Sequence, residues 1–215
     1  PTMGLAGGDA VLSPDGTRMV ILVDRGGTRE LYLRELGKAE FSHLPGTEEG
    51  GKPFFSPDGQ WVGFTDRREA RLMKIAVGGA SPIAICDGVG FGPASWGPDD
   101  HIIYTKSYSS GLWRVPASGG TAKMLTAPDA SQGELGHWWP QILPGGREVL
   151  YTSYRSPIER ARIMALSLET GEQRVLAEWA YFGRYVPTGH LLFARDATVF
   201  AAPFDLERLE TSGPP

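Results

Sequence analysis

A tight turn built around proline returns along this chain at a nearly constant interval, and that interval restricts the architecture more than any other feature. It reads Ser13-Pro14-Asp15-Gly16, then Ser56-Pro57-Asp58-Gly59, then Gly97-Pro98-Asp99-Asp100. Looser copies follow at Leu143-Pro144-Gly145-Gly146 and Val186-Pro187-Thr188-Gly189. The prolines stand 43, 41, 46 and 43 residues apart, the length of one four-stranded propeller blade. The turn residues divide the work between them. Proline pre-sets φ, aspartate accepts from nearby amides, and glycine takes the positive φ that closes the turn. Asp100 and Thr188, at positions held elsewhere by glycine and aspartate, remain turn-compatible.

The segments after each turn alternate in the manner of strands. Second strands are expected at Arg18–Val23, Trp61–Thr65, His101–Thr105, Glu148–Thr152 and His190–Ala194. Third strands are expected at Glu30–Arg34, Arg71–Ile75, Gly111–Val115, Arg162–Leu166 and Thr198–Ala202. No stretch keeps a 3.6-residue period, so almost no helix is expected, and 29 glycines with 17 prolines in 215 residues fit many short strands joined by turns. The reading is an all-β, single-domain β-propeller over 1–215, with blades at about 8–46, 47–90, 91–132, 133–180 and 181–215. The polar end of the chain gives the last blade no clear fourth strand, so that blade is expected to be incomplete or to borrow one.

Composition narrows the partners. A hydrophobic fraction of 41% with 21% charged residues describes a folded chain. The net charge of −4 argues against nucleic acid or an anionic membrane surface. The longest apolar run, Met19–Val23, is far too short to span a bilayer as a helix, so no membrane insertion is expected. Pro1–Leu5 lacks the marks of a secretion signal. Cys86 is the sole cysteine and cannot form an internal disulfide.

The repeat resembles the TolB-type β-propeller, and more closely the propellers C-terminal to bacterial membrane-anchored serine/threonine kinases. Carrying the resemblance are Leu12–Thr17, Leu31–Arg34, Pro45–Glu48, Pro53–Phe64, Ala94–Pro98, Gly111–Pro116, Ser118–Gly120 and Trp139–Pro144. It implies a propeller fold and a sensor or protein-binding role, extracytoplasmic if the chain belongs to a membrane-anchored kinase and cytoplasmic otherwise. It implies no kinase activity and supplies no catalytic residues. Propellers of this type usually close with six blades. Five blades that fail to close would expose two apolar faces, larger than soluble monomers tolerate. Tight closure of five blades into a ring is one escape; the pairing of two open arcs into a homodimer is the other, and the expected one.

Motifs for chemistry are sparse. There is no Gly-x-Ser-x-Gly elbow, His-Glu-x-x-His, phosphate loop or EF-hand, and Gly88–Gly92 reads as an inter-blade loop. His101 and His190 follow turns, and His43 falls on an outer strand. His137 enters the first strand of blade four, and first strands line a propeller's central channel. Equivalent entries put Asp9, Glu48 and Arg184 at the same mouth, with Glu134 and Trp138 beside His137. Glu48, Glu134 and His137 together offer a carboxylate–imidazole set suited to zinc or manganese, and His137 with Glu134 are the catalytic candidates. The leading expectation is a non-catalytic module binding a protein or small-molecule ligand at the channel mouth. The alternative is a metal-dependent hydrolase of esters or phosphoesters.

Overall fold

A computed structural model describes residues 10–90 and 92–215. They form five four-stranded sheets, each hydrogen-bonded in chain order. The first sheet comprises β1 (Ala10–Leu12), β2 (Arg18–Arg25), β3 (Thr28–Glu35) and β4 (Ser42–His43), and the second β5 (Gly50–Phe55), β6 (Trp61–Asp66), β7 (Arg71–Ala76) and β8 (Ile83–Asp87). The third holds β9 (Ala94–Trp96), β10 (His101–Thr105), β11 (Leu112–Pro116) and β12 (Lys123–Met124). The fourth holds β13 (Glu134–Ile142), β14 (Glu148–Arg155), β15 (Arg162–Ser167) and β16 (Gln173–Glu178). The fifth holds β17 (Tyr181–Val186), β18 (His190–Arg195), β19 (Thr198–Asp205) and β20 (Glu210–Thr211). Among the described residues, helix is limited to 3-10 turns at Ala130–Gln132 and Ile158–Arg160, and no helix is long and apolar enough to cross a membrane. The fold is an all-β propeller of five antiparallel blades.

The recurrent turns join the first and second strands of every blade. In each, the fourth residue's amide returns to the carbonyl of the first: Gly16 to Ser13 and Gly59 to Ser56 at 2.9 Å, Asp100 to Gly97 at 3.2 Å, Gly146 to Leu143 at 2.9 Å and Gly189 to Val186 at 3.0 Å. Asp15 accepts from the Ser13 hydroxyl at 2.5 Å and the Thr17 amide at 3.0 Å, bonds that pull its carboxyl down to about 2. Asp100 takes the left-handed φ of 56° that glycine supplies elsewhere, and its side chain accepts from Trp96 Nε1 at 2.9 Å.

The last blade departs from expectation. The chain supplies its own fourth strand, the two-residue β20, which pairs Thr211 with Phe204 and Glu210 with Asp205. A polar edge strand that short leaves little trace in the hydrophobic pattern.

Two compact units emerge. One holds the described residues up to Ile102 with Arg114–Lys123, the other Ile103–Trp113 with Met124–Pro215. In the first, Val20, Leu31 and Leu44 of blade one pack with Phe55, Val62, Phe64 and Ile75 of blade two. In the second, β14 feeds two cores from its opposite faces. Leu150 joins Leu191, Phe193, Ala202 and Phe204, while Val149 and Tyr151 join Ile103, Leu112 and Met164. Each fully buried Leu or Ile side chain contributes about 2 kcal/mol. Burial on both faces replaces the half-buried alternation expected for this strand.

Candidate functional site

The candidates separate into three places. Asp9 lies outside the described residues. Glu48 lies in the first unit, where it gathers with Glu30 and His43; one ligand atom from each falls within 4.8 Å of the others. The buried Thr47 sets this up, its hydroxyl accepting from the Leu31 amide at 3.0 Å and donating to the Leu44 carbonyl at 2.7 Å. Glu30 accepts from the Tyr32 hydroxyl at 3.2 Å. An imidazole with two carboxylates suits zinc or manganese, but exposed groups commonly cluster this way without an ion. Glu48 thus has a different histidine beside it from the one the sequence suggested.

Glu134 and His137 do meet, in the second unit. His137 is 1% exposed. Its Nε2 lies 3.1 Å from Glu134 Oε2, and its Nδ1 lies 2.7 Å from Thr126 Oγ1. A carboxylate only accepts, so Nε2 carries the proton, and Nδ1 shares a hydrogen bond with the Thr126 hydroxyl. The Thr126 oxygen in turn accepts from the Leu112 amide at 2.9 Å. Glu134 Oε1 accepts from Ser153 Oγ at 2.7 Å and faces Arg155 Nη2 at 3.4 Å, while Oε2 also takes the Asp129 amide at 3.0 Å. Desolvation pushes the Glu134 carboxyl up, but the bonds from His137, Asp129 and Ser153 outweigh it and bring it down to about 2. Both ring nitrogens are engaged, so neither is free for a metal or a substrate proton.

Trp138 and Arg184 belong to a chain of aromatic rings. Trp138 stacks on Tyr154 with centroids 4.2 Å apart, meets Tyr108 edge-on at 5.4 Å, and donates from Nε1 to the Tyr108 carbonyl at 2.8 Å. Trp139 meets Trp138 at 5.4 Å and Phe182 at 5.5 Å, both edge-on. Arg184 lies over Phe182 at 4.7 Å and donates to the Trp139 carbonyl at 2.8 Å. Desolvation lowers its guanidinium to about 10, which leaves it charged at neutral pH. Trp139 and Phe182 sit in β-bulges of β13 and β17 with φ of 54° and 57°, a conformation that bulky side chains rarely adopt. Tyr108 is 57% exposed. Tyr108, Tyr154, Thr126 and Ser153 were not singled out from sequence, because nothing local marks a loop tyrosine or a strand hydroxyl as a partner of β13.

No protein-family model matches the chain, and no curated protein does. Solved structures share its fold. A candidate TolB from Agrobacterium tumefaciens superposes with a TM-score of 0.67 at 20% identity, over 92% of this chain and 73% of that one. TolB from Acinetobacter baumannii gives 0.64 at 14% identity, over 89% of this chain and 51% of its own. An oligogalacturonate lyase in complex with manganese gives 0.69 at 15% identity, over 93% of this chain and 62% of its own. The fold is that of the TolB-like β-propellers, and the chain spans between half and three-quarters of these proteins' lengths.

Proposed function

We propose that the chain is a non-catalytic binding module whose ligand, a protein segment or small molecule, docks on the aromatic surface of Tyr108, Trp138 and Trp139 beside Arg184. The observation that carries this reading is the closed hydrogen-bond circuit of His137. The one buried histidine with a carboxylate beside it has both ring nitrogens engaged, so a hydrolytic role would first have to break the Thr126 or the Glu134 bond. The aromatic rings beside it are partly or largely exposed and present flat apolar faces, and Trp139 is held in a strained bulge of the kind that gathers at binding sites. The resemblance to kinase-linked propellers supports a sensor role for such a surface.

Arrays of peptides and of neutral oligosaccharides, probed with the purified chain, test the proposal. Saturable binding to one class, lost in the Tyr108→Ala/Trp138→Ala double variant and kept in His190→Ala, is expected. Binding indifferent to the double variant, or no binding to either class, overturns it. Ester or phosphoester hydrolysis that disappears in His137→Ala would instead establish the hydrolase.

A further inference from the structure

One end of the fourth blade borders an open-mouthed pocket of about 180 Å³ whose walls include Arg155, Arg160, Arg162, Glu178 and Trp179. Register explains the gathering. Glu134 pairs with Arg155 across β13 and β14, and Arg162 with Glu178 across β15 and β16, so these residues share one edge of the sheet. Arg160 lies in the 3-10 turn that joins β14 to β15.

Positive charge is in excess there. Arg162 Nε pairs with Glu178 Oε2 at 2.7 Å, and Arg155 pairs with Glu134 at 3.4 Å. Arg160 forms no ion pair among the described residues, and Arg155 Nε is buried with no hydrogen-bond partner. Planar guanidinium groups with spare donors favour carboxylate and phosphate oxygens.

The rim adds a flat surface. Trp179 is 58% exposed with a left-handed φ of 57°. Arg195 braces it, donating from Nε to the Trp179 carbonyl at 3.0 Å and from Nη2 to the Glu178 carbonyl at 2.9 Å. A large indole held in strained backbone with most of its surface in water serves no core. It offers a stacking face beside the cationic pocket. The volume lies below the range of about 300–1,000 Å³ typical of drug-sized ligands and fits a single ring. The Glu178 carboxylate supplies an acceptor for ring hydroxyls.

We propose that this pocket binds a sugar ring bearing an oxyanion, a uronic acid or a sugar phosphate, with the anion on Arg160 and Arg162 and the ring against Trp179. The site shares no residue with the aromatic surface proposed above, so its failure leaves that reading standing.

Calorimetry on the purified chain with glucuronate, glucose 6-phosphate, inorganic phosphate and glucose tests it. At least one sugar acid is expected to bind, with glucose about tenfold weaker or more; the tighter of the two identifies the anionic group. Arg160→Ala should weaken that binding about tenfold, and added salt should weaken it further. Trp179→Ala should weaken the sugar acid while leaving inorganic phosphate unchanged. Both side chains are exposed, so neither variant threatens the fold. The proposal is overturned if no sugar acid binds up to about 10 mM. Glucose binding as tightly as the acids, inorganic phosphate binding as tightly as either acid, or indifference to both variants would overturn it equally.

Discussion

At the scale of single residues, His137 and Glu134 show how a pair that reads as chemistry can serve as structure. Replacing His137 with alanine leaves the Glu134 carboxylate and the Thr126 hydroxyl short of a partner and opens a void at a site 1% exposed. A loss of about 3 kcal/mol is expected in urea unfolding; an unchanged midpoint would show that the circuit is ornamental. Glu134 also gives a pH signature. Its folded carboxyl is depressed from an ordinary 4.5 to about 2, so its stabilisation is complete above about 4.5 and is lost as pH falls towards 2. The stability gap between the wild type and Glu134→Gln should therefore narrow across that window, and a gap that stays constant would refute the assignment. Sequence showed that these two residues stand three apart at a strand entry. It could not show that Thr126 and Ser153, distant in the chain, would complete the circuit, because those contacts exist only once the strands are in register.

At the scale of the element, alternation and turn chemistry carried most of the information. β10 falls at His101–Thr105 as read, since a proline turn on one side and a serine-rich loop on the other leave one extended stretch between them. The bulges were invisible: Trp139 and Phe182 are bulky residues whose preferences oppose φ of 54° and 57°, so only their surroundings impose the kink. The two-residue fourth strand β20 is similarly silent, being too short and too polar for a pattern. Gly111, at the entry to β11, makes a prediction at this scale. A Cβ there would stand 1.8 Å from the Thr126 carbonyl oxygen, a backbone atom tied into the same hairpin. Gly111→Ala should cost about 3 kcal/mol in urea unfolding, whereas Gly78→Ala, where a Cβ meets nothing within 4 Å, should change little. Asp100→Ala should lose about 1–2 kcal/mol, from the Trp96 bond together with the left-handed backbone that alanine resists.

At the scale of the molecule, the repeat period was sufficient for the architecture, because a four-stranded unit with apolar faces can be stabilised only by another like it. Assembly is a proposal that belongs here: a homodimer would cover whatever blade faces five repeats leave unpaired. Light scattering should then return twice the mass of the chain, and a monomer at every concentration would end that idea. The double duty of β14, with Leu150 in one core and Tyr151 in the other, has its own consequence. The segments of the second unit cannot melt one at a time, because a fault in that strand reaches neighbours on either side. Amide protons of Ile103–Thr105 and along β14 and β18 should therefore exchange as one slow cohort, giving the second unit the all-or-none character of a much smaller protein.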